Sequence, residues 1–106
     1  MISQLTSGNF DMAVRNAPGV HVIRFWAEWC HPCRVMQPMF EQAADEMSRL
    51  VHFAEVNIDE SPALANEFGV MSIPTMVVVR DGKPVARTVG ALPKSAITQL
   101  AMSHLG

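Results

Sequence analysis

Apolar and polar residues recur along this chain with two different periods, and the changes of period mark its elements. Phe10, Ala13, Val14 and Ala17 fall at helical spacing after Thr6, Ser7 and Asn9, any of which suits an N-cap, and Ala17-Pro18-Gly19 ends the pattern. Residues 20–27, VHVIRFWA, are nearly all apolar and rich in β-branched side chains, the pattern of a strand covered on both faces. Arg24 is the one charge in it. From Cys33 to about Leu50, the residues Met36, Met39, Phe40, Ala43, Ala44, Met47 and Leu50 share one stripe. This predicts the longest helix, with Pro32 in its first turn and a kink at Pro38. HFAEVNID, residues 52–59, predicts another strand, and SPALANEFG, 61–69, a short helix capped by Ser61, opened by Pro62 and stopped by Gly69. MVVVRDGKPVARTV, residues 76–89, reads as two antiparallel strands turning at Asp81-Gly82. Ile97, Leu100, Ala101 and Leu105 then mark a C-terminal amphipathic helix. Helices in this order are enough to cover both faces of one mixed sheet, which makes the chain an α/β protein.

Length and composition narrow the function. A chain of 106 residues has room for one domain, residues 1–106, with a real core and no second domain. Apolar residues make up 49% and aromatic residues 7%, with eight methionines, so the core leans on aliphatic and thioether side chains. A net charge of -2 gives no electrostatic reason for a nucleic-acid or membrane-surface partner, since both call for clustered Lys and Arg. The first ten residues, MISQLTSGNF, lack the basic and apolar regions of a leader, and no apolar run approaches the length of a membrane span, so a cytoplasmic location is expected.

The two cysteines of the chain stand two residues apart in FWAEWCHPCR, residues 25–34. Three readings are open: a redox centre, half of a metal site, or two buried thiols that happen to be close. Two cysteines are too few for a disulfide-rich secreted scaffold, which favours chemistry over a staple. Tetrahedral zinc needs four ligands, and no second cysteine pair exists; His21, His31, His52 and His104 are scattered over different elements. No metal is therefore expected.

FWAEWCHPCR, VNIDE, GVMSIPT, the RDGKPV hairpin and VGALPK occur in that order along the whole chain, and with them the sequence resembles the thioredoxin family. The resemblance implies the thioredoxin fold, a central mixed β-sheet flanked by helices on both faces, and a small thiol-disulfide oxidoreductase that reduces protein disulfides. It makes Cys30 the exposed nucleophile and Cys33 the more buried resolving thiol, both at the start of the long helix, where the helix N-terminus favours a thiolate. Pro74 matches the family's cis-proline, and Trp29, Ile73, Pro74, Thr75 and the Gly90-Ala91 step match its substrate-binding surface, the glycine allowing close backbone approach. It further implies no bound cofactor, with electrons drawn from NADPH through a flavoprotein reductase. Partners would be that reductase and disulfide-containing client proteins, and the chain would work as a monomer.

Two departures from the family pattern stand out. His31, beside Pro32 between the cysteines, replaces the usual glycine; a protonated imidazole there would favour the Cys30 thiolate and make the disulfide more oxidising. The plain alternative is an exposed histidine with no task. The family's buried Asp in the central strand and Lys in the next are replaced by Arg24 and Glu55. Arg cannot accept a proton, so the expectation is that Glu55 removes the proton of Cys33, directly or through water, while Arg24 holds it in place; the alternative is a structural ion pair. Met71 could line the substrate groove, although core or rim packing is the plainer reading, and Asp59 reads as a solvated charge that also matches a position of the resembled family near the end of its strand. Two further functions compete with reduction: a disulfide oxidase or isomerase tuned by His31, and a binding subunit that uses the groove without turnover.

Overall fold

The computed structural model describes all 106 residues. Five strands, β1 (Ile2–Gln4), β2 (Val20–Trp26), β3 (His52–Asn57), β4 (Thr75–Arg80) and β5 (Lys83–Val89), form one sheet in the order β1-β3-β2-β4-β5. β1, β3 and β2 run parallel, whereas β4 and β5 are antiparallel to their neighbours. Helices α1 (His31–Met47), α2 (Pro62–Glu67) and α3 (Lys94–Met102) complete the chain with a five-residue π-helical turn over Asp11–Arg15. This is the thioredoxin fold's mixed sheet with helices on both sides.

The continuous apolar character of β2 follows from its central place. Val20, Val22, Arg24 and Trp26 face α1 and α3, and His21, Ile23 and Phe25 face the π-helical turn and α2, so every position is covered. Phe40, Met36 and Ile97 close the first core; Phe10, Val14 and Leu64 close the second.

Several expectations change in detail. β1 carries no readable strand pattern, being three residues long with two exposed side chains. The first helix is reduced to a wide turn closed by the Asn16 N–H on the Asp11 carbonyl. Thr6 caps the approach to it: its hydroxyl oxygen accepts from the Gly8 N–H at 3.2 Å and its carbonyl from the Phe10 N–H at 3.0 Å, while the Asn9 carboxamide oxygen accepts from the Thr6 N–H at 2.8 Å and its amide donates to the Gln4 carbonyl at 3.0 Å. α1 begins at His31, continues through Pro38 and stops at Met47, leaving Leu50 63% exposed and outside the stripe. Ser61 caps α2 through its carbonyl, which accepts from Leu64 and Ala65, and not through its hydroxyl. Gly69 ends α2 as the pattern predicts: at φ +63° it brings its own N–H to Asn66 and that of Val70 to Ala65, satisfying the last free carbonyls.

At the hairpin, Asp81 (φ +51°) and Gly82 (φ +84°) take the left-handed conformations of a two-residue turn. The glycine is also demanded by space, since a Cβ there would stand 2.4 Å from the Arg15 carbonyl oxygen.

Candidate active site

The sheet topology gathers four loops at one edge. β2 and β3 are parallel and end together, and β4, antiparallel to β2, begins there, with Phe25 opposite Thr75. β5 ends beside the start of β4, with Val89 opposite Thr75. The segments after β2, β3 and β5 and before β4 therefore meet, and they carry Trp29 and Cys30, Asp59, Gly90, and Ile73-Pro74 respectively.

Cys30 is the N-cap of α1, and its sulfur accepts the Cys33 N–H at 3.3 Å. The two cysteines are joined in a disulfide, with their Cα atoms 5.3 Å apart. Cys30 is 5% exposed and Cys33 fully buried, so only Cys30 offers an edge to a substrate. On reduction, the same N–H and the positive end of the helix dipole stand ready for a thiolate on Cys30. Pro32 occupies the first turn, where its missing N–H removes no helical hydrogen bond. Both His31 and Pro32 are exposed.

The Ile73-Pro74 peptide bond is cis, and the Ile73 carbonyl oxygen lies 3.7 Å from the Cys30 sulfur. Pro74 and Thr75 are buried. They hold the loop from behind: the Thr75 hydroxyl donates to the Ser72 carbonyl at 2.6 Å, and the Pro74 carbonyl accepts from the Gly90 N–H at 2.8 Å. Gly90 earns its place by conformation rather than by closeness. Its φ is +97°, and a Cβ there would meet nothing within 4 Å. Ala91 follows it and is exposed.

In front of Cys30 lies a cavity of about 450 Å³, floored by Ile58, Val70 and Ile73 and flanked by Trp29, His31 and Met71. Trp29 is 68% exposed, yet its indole is fixed because its N–H donates to Asp59 at 2.8 Å. Asp59 is thus a positioning residue that charge reasoning misses; its signal is its place just after β3, level with the loop that follows β2. Met71 stands on the rim at 96% exposure. Among all residues no group of three or more His, Cys, Asp or Glu side chains is close enough to hold a metal ion.

Behind Cys33 sits the buried ion pair. Arg24 and Glu55 are opposite each other in the β2/β3 register, which places both side chains on the α1 face. Arg24 is fully buried, bonding Glu55 Oε2 through Nε at 3.1 Å and also through Nη2, and its Nη1 donates to the Cys33 carbonyl at 2.9 Å. The second Glu55 oxygen accepts from the Gln4 amide at 3.0 Å. Phe40 and Trp26 present ring faces about 5 Å from the guanidinium carbon, so the charge is bordered by π-systems as well as by its counter-ion.

The thioredoxin family model matches residues 1–103. The chain is 38% identical over 103 residues to a thioredoxin of Chlorobaculum thiosulfatiphilum, covering 97% of this chain and 95% of that protein. It is 38% identical over 104 residues to a thioredoxin of Staphylococcus saprophyticus, covering 98% of each. A redox-active pair at a helix start, a cis-proline loop against it and matches of this length lead to one conclusion: the chain belongs to the thioredoxin family and is a thiol-disulfide oxidoreductase.

Proposed function

We propose that this protein is a general reductant of client-protein disulfides in the cytoplasm, and that a flavoprotein reductase drawing on NADPH restores its dithiol. The observation that carries the direction of attack is the asymmetry of burial: Cys30 edges the groove and Cys33 is sealed behind it. The Cys30 thiolate attacks a client sulfur, forming a mixed disulfide and releasing the client's other sulfur as a thiolate that takes a proton from water. Cys33 then attacks the Cys30 sulfur, breaking the mixed disulfide and freeing the second client thiolate. Two electrons pass to the client and the Cys30-Cys33 disulfide returns. Tethering Cys33 one turn away gives the second step its high effective concentration.

An extended client segment is read here as lying across Trp29, Met71 and the backbone of Ser72-Ile73, where exposed loop groups and an apolar floor are available. Pro74, Thr75 and Gly90 support that surface from behind, and Ala91 sits at its margin. No helix is long and apolar enough to cross a membrane. The mechanism needs no bound cofactor or metal.

Trapping tests the cycle. Cys30→Ser is expected to abolish turnover of a disulfide-bonded protein, while Cys33→Ser should accumulate a mixed disulfide, seen as added mass on a non-reducing gel or by mass spectrometry. Turnover by Cys30→Ser would sink the reading.

A second reading, net oxidation, is favoured by one observation: His31 is exposed at the first position of α1, directly beside Cys30. Equilibration with glutathione, comparing the parent with His31→Gly, separates the two. A shift of about 30 mV to a more reducing potential in His31→Gly corresponds to roughly 1.4 kcal/mol and supports tuning by His31. Equal potentials remove that role.

A further inference from the structure

We propose that the buried ion pair is mounted with its positive end toward the resolving cysteine, so that Arg24, and no carboxylate, promotes loss of the Cys33 proton. The inference rests on the dithiol cycle above. Its basis is the order of groups across the sheet. Gln4 on β1 donates to Glu55 on β3, Glu55 accepts Arg24 on β2, and Arg24 donates to the Cys33 carbonyl in α1. The guanidinium lies between the carboxylate and the cysteine. Nε and Nη2 turn toward Glu55, and Nη1 turns away from it toward α1.

A carboxylate in this setting is poorly placed to act as a base. One Glu55 oxygen holds Arg24 and the other holds the Gln4 amide, so both are already engaged as acceptors. Protonating Glu55 would leave a fully buried guanidinium without its counter-ion, which is strongly unfavourable. The charged and titratable groups around Cys33 are few. Arg24 and Glu55 lie beneath it, Cys30 is its disulfide partner, and His31 and Arg34 are exposed on its own helix. Ala27, Trp26, Ile58 and Ile73, which pack against the cysteine pair, carry no charge.

The consequence falls on the second half of the cycle. Burial opposes ionisation of the Cys33 thiol, and the nearby cation favours it. When the mixed disulfide has formed, the Cys33 proton leaves to solvent and its thiolate attacks Cys30. The departing client thiolate takes up a proton from water, so protons and electrons balance without a protein base. Arg24 is a positioning and electrostatic residue in this step, and Glu55 is its anchor.

The test measures Cys33 alone. In reduced Cys30→Ser protein, thiolate ultraviolet absorbance titrates Cys33; the expected midpoint is at or below the ordinary thiol value of about 8.5 despite full burial. Adding Arg24→Met should raise proton affinity by ~10-fold or more, and adding Glu55→Gln should lower it. In the parent background, reduced Glu55→Gln mixed rapidly with a disulfide-bonded client should pass through its transient Cys30 mixed disulfide and release client at least as fast as the parent near neutral pH. A Cys33 midpoint well above the ordinary value, with release slowed ~10-fold or more by Glu55→Gln, overturns the proposal and makes the carboxylate the base. If Arg24→Met does not fold, the pair Arg24→Met with Glu55→Gln leaves no buried net charge, and its Cys33 should again bind a proton more tightly. Because the titration needs no turnover, a failure of the dithiol cycle shows in the trapping experiment and leaves this result separately readable.

Discussion

β2 and β3 carry two polar pairs three rungs apart, on opposite faces of the same two strands: His21 opposite His52, and Arg24 opposite Glu55. Both are built by the same parallel register, and they behave as opposites. Arg24 and Glu55 are complementary and bond each other and their neighbours. His21 and His52 stack with ring centroids 4.6 Å apart, and the buried Nδ1 of His21 has no hydrogen-bond partner. The first pair brings its own charge compensation into the core. The second is tolerable only while His21 stays neutral. Its pKa is lowered mainly by burial and then by the charge His52 would carry; the carbonyls of Gly19 and Ala13 and the Asp81 carboxylate oppose this only in part. Register alone does not make a pair stabilising; complementarity and satisfaction do.

The largest effect should come from breaking the complementary pair on one side. Arg24→Met leaves Glu55 buried without its counter-ion and is expected to destabilise the protein by about 3–5 kcal/mol in urea unfolding. Replacing Glu55 by Leu as well should recover much of that loss. If the double variant is no more stable than the single, the pair is not acting as a charge-compensated unit.

Acid should find the other pair next. With its folded pKa below the ordinary 6.5, His21 binds a proton more readily in the unfolded chain, so stability is full above about 6.5 and falls as pH drops below it. At its steepest the loss is no more than about 1.4 kcal/mol per pH unit, the value for one proton. His21→Leu should flatten this limb, and His52→Asn, by removing a charge that holds the folded pKa down, should shorten it so that the loss levels off at a higher pH. An unchanged limb in His21→Leu would assign it to other groups.

The smallest effect sharpens the contrast with a pair of the same chemistry at the surface. Lys94 at the start of α3 reaches Glu46 on α1, with both side chains roughly half exposed. Glu46→Gln should cost under about 1 kcal/mol, because water and salt already screen that interaction. A loss comparable with Arg24→Met would contradict the view that burial sets the stakes.

How far the chain could be read without its fold follows the same logic. Long elements were legible because their periods repeat: α1 shows four turns of stripe, and β2 an unbroken apolar run. β1 was not, since three residues with Ser3 and Gln4 exposed give no period to detect, and only pairing with β3 makes them a strand. The cysteines and the proline before β4 were visible in local motifs. The task of Asp59, itself part of the VNIDE motif, was not, because its bond to Trp29 spans thirty residues and depends on β2 and β3 ending together. Ser61 looked like a side-chain cap and serves through its carbonyl, a choice of backbone conformation that residue type alone does not decide. His21 and His52 are unremarkable until the strands are aligned.

The three-residue strand at the start of the chain has a practical side. Gln4 is the outermost member of the row that runs through Glu55 and Arg24 to Cys33. Trimming β1, or fusing a tag that pulls it off the sheet edge, would therefore alter the redox pair from a distance while leaving both cysteines intact.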